Sequence, residues 1–428
     1  MPTPIPSTFF SGNRRQLIDR MVPGTVAIVC ASVRMPRNAD QLFPFRQDSS
    51  FYYLTGLEEP DAVLVLCRGE GLDWPAETLF MSPKTPRDAL WNGPGLERDQ
   101  VVVRTGIERT ENLNLLHPFL ESLIPSVREI YTPAPEPNDP LTNWSDRKLL
   151  EWIRQHFPGI GFRHLEPILM RLRGIKQPEE LAQIREAVQI TERGLDRVLH
   201  HLEPGMREYQ VEALLIGTFR DAGARGHAFE PIVASGANAL VLHYTDNTDP
   251  CRDGDLLLLD FGAEVNNYAA DCSRTLPVSG RFTRRQRDVY EATLRVFRQA
   301  RDMMICGAVL ADLHNRVGTL WEEEHIRLGL YSLREARASS PESPLWKRYF
   351  PHGTSHSLGL DVHDLFDRNL PLEEDMVLTC EPGIYIPEEG LGIRIENDIR
   401  ITAGEPEDLM EGFPLEPDEI EHAMKKRA

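Results

Sequence analysis

Asp253-Gly-Asp-Leu-Leu-Leu-Leu-Asp-Phe-Gly262 and Glu373-Glu-Asp-Met-Val-Leu-Thr-Cys-Glu-Pro-Gly383 are two versions of one pattern. Each opens on an acidic turn, runs through an apolar strand, and ends on a carboxylate followed by a turn residue and glycine. A second strand with another acid follows each, carrying Asp271 in the first case and Glu396 in the second. The pattern reads as two hairpin units that each present two carboxylates, and so as duplicated halves facing one another.

A single acid such as Asp260, at the end of the buried run Leu256–Leu259, most simply accepts backbone hydrogen bonds at a turn. Four acids at matched hairpin positions ask for more. An ionised carboxylate in a buried strand costs several kcal/mol unless compensated. Like charges ~4 Å apart repel by about 4 kcal/mol at an effective dielectric near 20. Four converging carboxylates therefore need cations, and two divalent ions neutralise what one would leave in excess. A nitrogen ligand is expected in Pro351–Asp364, where His352, His356 and His363 cluster in a chain with only 13 histidines.

Outward from this core the chain changes character near residue 174. Lys176-Gln-Pro-Glu-Glu180 opens a long amphipathic helix to about His201, Pro178 and the two glutamates suiting a helix N-terminus. Leu202–Met206 closes it, and a second helix runs to about Ala222. Upstream, the apolar stretches Thr25–Ala31, Ala62–Cys67 and Thr78–Met81 alternate with helical stretches such as Leu113–Leu123, a mixed α/β pattern. Thr132–Pro140 is proline-rich and reads as a surface loop. The expected organisation is an α/β (α+β) chain, with residues 1–174 as a smaller N-terminal domain and residues 175–428 as the larger domain with duplicated halves.

Bulk properties narrow the function. A length of 428 residues exceeds one ordinary core. Lys plus Arg (47) against Asp plus Glu (66) leaves a net charge of −19. That balance argues against nucleic acid and an anionic membrane surface as main partners. No apolar run approaches the ~18 residues of a membrane span. Six scattered cysteines without a CxxC pair read as reduced thiols. With Arg14, Arg15, Asp19 and Arg20 near the N-terminus and no long apolar run there, a signal peptide is not expected, which places the chain in the cytoplasm.

HGTSHSLGLDVHD (352–364), LLLLDFGAEVNNYAADCSRT (256–275), EPGIYI (381–386) and GIRIEND (392–398) together resemble the pita-bread metallopeptidases. Within that family the chain is most similar to the Xaa-Pro aminopeptidases (aminopeptidase P). RNADQLFPFRQDSSFYYLTGLEEPDAVLVL (37–66) extends the resemblance to that group's N-terminal domain, and so to nearly the whole chain. The resemblance implies a pita-bread catalytic domain in which Asp260, Asp271, His356, Glu381 and Glu396 hold two metal ions, Asp271 and Glu396 as bridges. It implies active-site roles without ligation for His243, His352 and His363, and substrate-pocket or supporting roles for Tyr385 and Arg394. Ser357 stands where many of these enzymes have tryptophan, and Phe229 where some have tyrosine.

The implied reaction is hydrolysis of the bond between an N-terminal residue and a following proline. Two divalent ions would hold a bridging hydroxide and polarise the carbonyl, with Glu381 accepting the water's proton. His363 and His243 would stabilise the developing charge or hold substrate. His352, Phe229 and Tyr385 are expected to wall a pocket for the tertiary amide before proline. A carboxylate-rich shell with one imidazole favours Mn²⁺, with Co²⁺ or Zn²⁺ as alternatives. The partners expected are proline-containing peptides and further copies of the chain, as a homodimer or homotetramer. The nearest rival is a prolidase restricted to Xaa-Pro dipeptides, for which Arg394 could bind the free carboxylate. A methionine aminopeptidase lacks so large an N-terminal domain. A metal-free hydrolase or binding module of the same fold would have lost ligands that this chain retains.

Overall fold

A computed structural model of the chain describes residues 3–69, 74–133, 144–340 and 342–425. Its contacts separate two compact units, Pro4–Arg173 and Gly174–Ala428, with Thr3 grouped with the second. The sequence reading puts Gly174 in the first domain, whereas its contacts put it in the second. Of the stretch Thr132–Pro140 read as a loop, residues 134–140 lie outside the described residues.

The smaller unit is built on a six-stranded mixed sheet. Its strands are β1 (Thr25–Cys30), β2 (Ala62–Arg68), β3 (Glu77–Met81), β4 (Thr110–Asn112), β5 (Glu129–Thr132) and β6 (Gly161–His164). They lie in the order β4-β3-β2-β1-β5-β6, antiparallel from β1 through β2 to β3 and parallel at β3–β4, β1–β5 and β5–β6. Every residue of β1 is buried, as are the first six of β2. Burial on both faces explains why these strands read as unbroken apolar runs without polar alternation. Helix α1 (Trp144–His156) covers part of one face, Leu149 and Ile153 packing with Ile28, Val63 and Val65. Leu113–Leu123 is not one continuous helix: a 3-10 turn at Leu113–Leu115 leads into an α-helix at Leu116–Leu123. The Asn112 side chain caps the tighter turn by accepting from the Asn114 N–H.

The larger unit opens on α2 (Pro178–His201). Pro178 occupies the first turn, where its missing N–H has no helical partner to lose, and Gln177 and Glu180 satisfy each other's backbone N–H groups. Helix α3 (Glu208–Asp221) follows and packs on α2; α4 (Arg284–Asp302) and α5 (Leu310–Arg327) lie between the two halves in sequence.

The first half contributes β7 (Ile232–Ser235), β8 (Leu256–Phe261) and β9 (Cys272–Pro277), an antiparallel sheet with β8 central. The second contributes β10 (Val377–Cys380), β11 (Gly383–Ile386), β12 (Leu391–Arg394), β13 (Asn397–Arg400) and the short β14 (Glu407–Asp408). Here β10 pairs antiparallel with β13, β13 with β14, and β11 with β12. In the repeat, β8 pairs with β9 as β10 pairs with β13, and the halves meet where Ser273 bridges Glu396. The chain is thus a mixed α/β protein whose larger unit carries two related hairpin pairings.

Candidate metal centre

Asp260 is the penultimate residue of β8, opposite Ser273 on β9. Two residues later, Gly262 permits the chain to fold back: a Cβ there would lie 1.6 Å from the Ala270 carbonyl oxygen. The return passes through Asn266 and Asn267, both with positive φ, as a two-residue hairpin turn requires. It delivers Asp271 immediately before β9. Tight turn chemistry thus turns eleven residues of sequence separation into two carboxylates at one place.

The second half repeats this by other means. Glu381 follows β10, and its N–H donates to the Thr354 carbonyl at 2.9 Å. Glu396 lies between β12 and β13, its N–H donating to the Ser273 carbonyl at 3.1 Å. His356 is pinned to β10 from both sides. Its N–H donates to Thr379 Oγ1 at 3.2 Å, and its carbonyl accepts from the Thr379 N–H at 2.9 Å. His356 Nδ1 lies 3.2 Å from the Ser357 carbonyl, and Nε2 faces Asp271 Oδ2 at 3.5 Å and Glu381 Oε1 at 3.9 Å.

Asp271, His356 and Glu396 offer atoms within 4.8 Å of one another, and Asp260 and Glu381 line the same cavity. Asp260 Oδ1 and Asp271 Oδ1 are buried with no hydrogen-bond partner. Burial, followed by the charges of Asp260, Asp398 and Glu381, pushes the Asp271 carboxyl well above its ordinary range. Burial and the neighbouring acids do the same to Glu396. Burial raises Glu381 to about 7, although His356 and Arg394 pull it down. Without cations these carboxylates gain by holding protons; divalent ions supply the missing charge and partners for the orphaned oxygens. The donor set, oxygen-rich with one imidazole, fits a pair of hard or borderline divalent ions.

Behind the ligand set lies a hydrogen-bonded chain. Buried Arg394 donates to Asp260 Oδ2 at 2.6 Å, Ser273 Oγ at 2.9 Å and the Tyr385 hydroxyl at 2.7 Å. Ser273 Oγ donates to Glu396 Oε2 at 2.7 Å. The direct carboxylate partner of Arg394 is Asp260, and Glu396 is reached through Ser273. Tyr385 is buried and does not appear among the cavity-lining residues. Its hydroxyl lies 2.9 Å from His352 Nε2, while His352 Nδ1 lies 2.8 Å from the Gly353 carbonyl. A carbonyl only accepts, so the proton sits on Nδ1 and Nε2 accepts from Tyr385. Burial and the Arg394 charge lower the His352 pKa to about 3, keeping the ring neutral.

The cavity, about 450 Å³, is also lined by Phe229, Glu230, Ile232, Leu242, His243, Thr245, Val362 and His363. The His363 ring centroid lies 4.2 Å from that of His356, and burial followed by His356 and His243 lowers its pKa. The structure therefore brings Asp260, Asp271, His356, Glu381, Glu396, His243, His352, His363, Phe229 and Arg394 to one cavity. Ser357 lies outside its lining, buried and paired with Leu378 beside β10.

Sequence reasoning did not single out Ser273, Asp398, Thr354 or Glu230. Asp398 is buried and accepts the Asp271 N–H at 3.2 Å. It follows Glu396 by two residues, as Ser273 follows Asp271, so the period-two alternation of a strand was the available signal. Glu230 carries no such signal, because it precedes β7 in irregular chain.

Comparison with known proteins agrees with this architecture. The profile of metallopeptidase family M24 matches residues 182–403, and that of the aminopeptidase P N-terminal domain matches residues 10–131. Xaa-Pro aminopeptidase of Escherichia coli (strain K12) is 35% identical, with 97% of each chain covered. Among solved structures, Pseudomonas aeruginosa aminopeptidase PepP superposes with a TM-score of 0.90 at 32% identity, covering 98% of each chain. Zinc-substituted E. coli aminopeptidase P in complex with product gives 0.90 at 32% identity, covering 99% of each.

Proposed function

The chain belongs to metallopeptidase family M24 and, within it, to the Xaa-Pro aminopeptidases, and we propose that it removes an N-terminal residue preceding proline from peptides longer than two residues. The observation that carries this reading is the convergence of five ligand side chains on one cavity, two of them with buried oxygens lacking partners. Asp260, Asp271, His356, Glu381 and Glu396 would hold two divalent ions, Mn²⁺ best suited and Co²⁺ or Zn²⁺ next. When bound, such a pair supplies an acidified water and polarises the scissile carbonyl.

The chain's own groups do the rest. Glu381, with Oε2 3.6 Å from His352 Nδ1, accepts the water's proton and passes it toward the leaving proline nitrogen. His363 and His243 line the cavity, where they hold the substrate and stabilise charge developing on its carbonyl oxygen. Arg394 holds Asp260 in place, and Tyr385 donates to His352 Nε2 and fixes its ring. Phe229, Leu242 and Val362 offer apolar surface to the substrate.

Two further readings concern the protein's setting. All six cysteines are free, which supports a reducing compartment and hence the cytoplasm; among the described residues no helix is long and apolar enough to cross a membrane. Leu90 and Trp91 are 83% and 76% exposed, surface suited to contact with another copy in a homodimer or homotetramer.

A prolidase must bind the free carboxylate of a dipeptide's proline. Arg394 already serves Asp260, Ser273 and Tyr385, which supports an open site beyond proline. Mn²⁺-loaded protein should cleave Xaa-Pro-Yaa with kcat/KM at least equal to that for Xaa-Pro. It should refuse peptides with a blocked N-terminal amine and handle those without proline second poorly. Turnover of Xaa-Pro alone would make it a prolidase.

A further inference from the structure

Four of the carboxylates lining the cavity have been assigned to the ligand set; Glu230 has not. Its side chain is 75% exposed, so it stands at the cavity's mouth, and it meets His227 Nε2 at 3.7 Å. Among the described residues no hydrogen bond donor satisfies it. The backbone beneath it is fixed on both sides. The Ala228 N–H donates to the Gly262 carbonyl at 2.8 Å, and the Pro231 carbonyl accepts from Asn247 Nδ2 at 2.9 Å. Asn247 Oδ1 in turn accepts from the Val233 N–H at 3.0 Å, joining this support to β7. A mostly exposed carboxylate, whose described partner is His227, is therefore held on a backbone fixed from both sides, with Phe229, Ile232, Leu242 and Val362 lining the same cavity.

Apolar residues and an exposed carboxylate sharing one cavity match a side chain with a long apolar stem and a cationic head. Lysine and arginine have that form, burying their methylenes while the charge stays near water. Phe229 adds a ring face that also attracts a cation. We propose that Glu230 makes this site selective for peptides bearing lysine or arginine at the residue that lies along the Phe229 wall. The inference rests on the Xaa-Pro aminopeptidase reading and adds a substrate class to it.

Norleucine shares most of the lysine stem without the charge, so a lysine-to-norleucine comparison isolates the carboxylate's effect. Peptides with either residue in the first position, or in the third, would be assayed with Mn²⁺-loaded protein. At one of these positions kcat/KM for lysine should exceed that for norleucine on the order of fivefold at low salt, the scale of an exposed ion pair. The ratio should approach one in high salt, where such pairs are screened. Glu230→Gln should remove the ratio, and Glu230→Lys should reverse it, favouring glutamate over glutamine at the same position. Salt dependence is read on the unaltered protein, so the inference stays testable if a variant folds poorly. Equal rates for lysine and norleucine at both positions, or a preference that survives Glu230→Gln, overturn this inference alone. Failure to cleave any of the peptides overturns the aminopeptidase reading and this inference with it.

Discussion

Asp260 and Asp271 each keep one buried oxygen without a partner, while their other oxygens or backbones are held by Arg394 and Asp398. The support is complete and the ligand positions are open, which is how a preorganised cation site differs from a structural ion pair. Glu381 differs from the other acids in lying near both His352 and His356. Glu381→Gln removes proton acceptance together with a ligand charge. With metal content matched to the unaltered protein, it should lower kcat by about 10²-fold or more and change KM far less. His363→Ala should also depress kcat by about 10²-fold if the ring stabilises the transition state. Single-turnover rates on metal-assayed protein check both, and unaltered kcat in a fully loaded His363→Ala protein would remove that residue from the mechanism.

At the scale of elements, the smaller unit carries a titration of its own. Asp146, in the first turn of α1, accepts the Cys30 N–H of β1 at 3.1 Å and is buried. Burial, with the negative charge of Asp48, raises its pKa to about 8, against roughly 3.9 for an unfolded aspartate. The folded unit therefore binds the proton across a window in which the unfolded chain releases it. Stability from this group is full below about pH 4 and is lost as pH rises toward 8. Asparagine keeps the acceptor for Cys30 and never ionises. Asp146→Asn should gain on the unaltered protein by about 1 kcal/mol or more between pH 6 and pH 8. Urea unfolding followed in the smaller unit measures the difference. A constant gap across that range would mean that the carboxylate is ionised in the folded state.

For the molecule as a whole, metal occupancy and stability are linked. Asp271 and Glu396, buried and pushed up by burial and by neighbouring acids, oppose folding near neutral pH, and cations bound only by the folded state relieve them. At a free concentration about 100 times Kd, each ion adds about 2.7 kcal/mol. Chelation should abolish turnover, lower the melting temperature and raise hydrogen exchange around residues 256–275, 352–364 and 377–400. Mn²⁺ should restore all three best. Full activity after rigorous metal removal would contradict the dinuclear reading, and one ion per chain in active protein would confine it to a single metal.

Local pattern determined much of this protein without tertiary information. The doubled apolar strand ending in an acid needs only strand periodicity and turn chemistry, and so does the start of α2 at Pro178. Both depend on neighbours within a few residues, where sequence order and spatial order coincide. The crowding of His352, His356 and His363 was visible for the same reason. Only the closing of the two hairpins decided which side chains meet. Arg394 finds Asp260 from 134 residues away, and Ser273 reaches Glu396 from 123. Tyr385 turns behind the cavity, while Glu230 reaches its mouth from irregular chain that has no period to read. Strand periodicity tells which side of a strand is buried, but a hydrogen bond within about 3 Å depends on how two distant strands are set against each other.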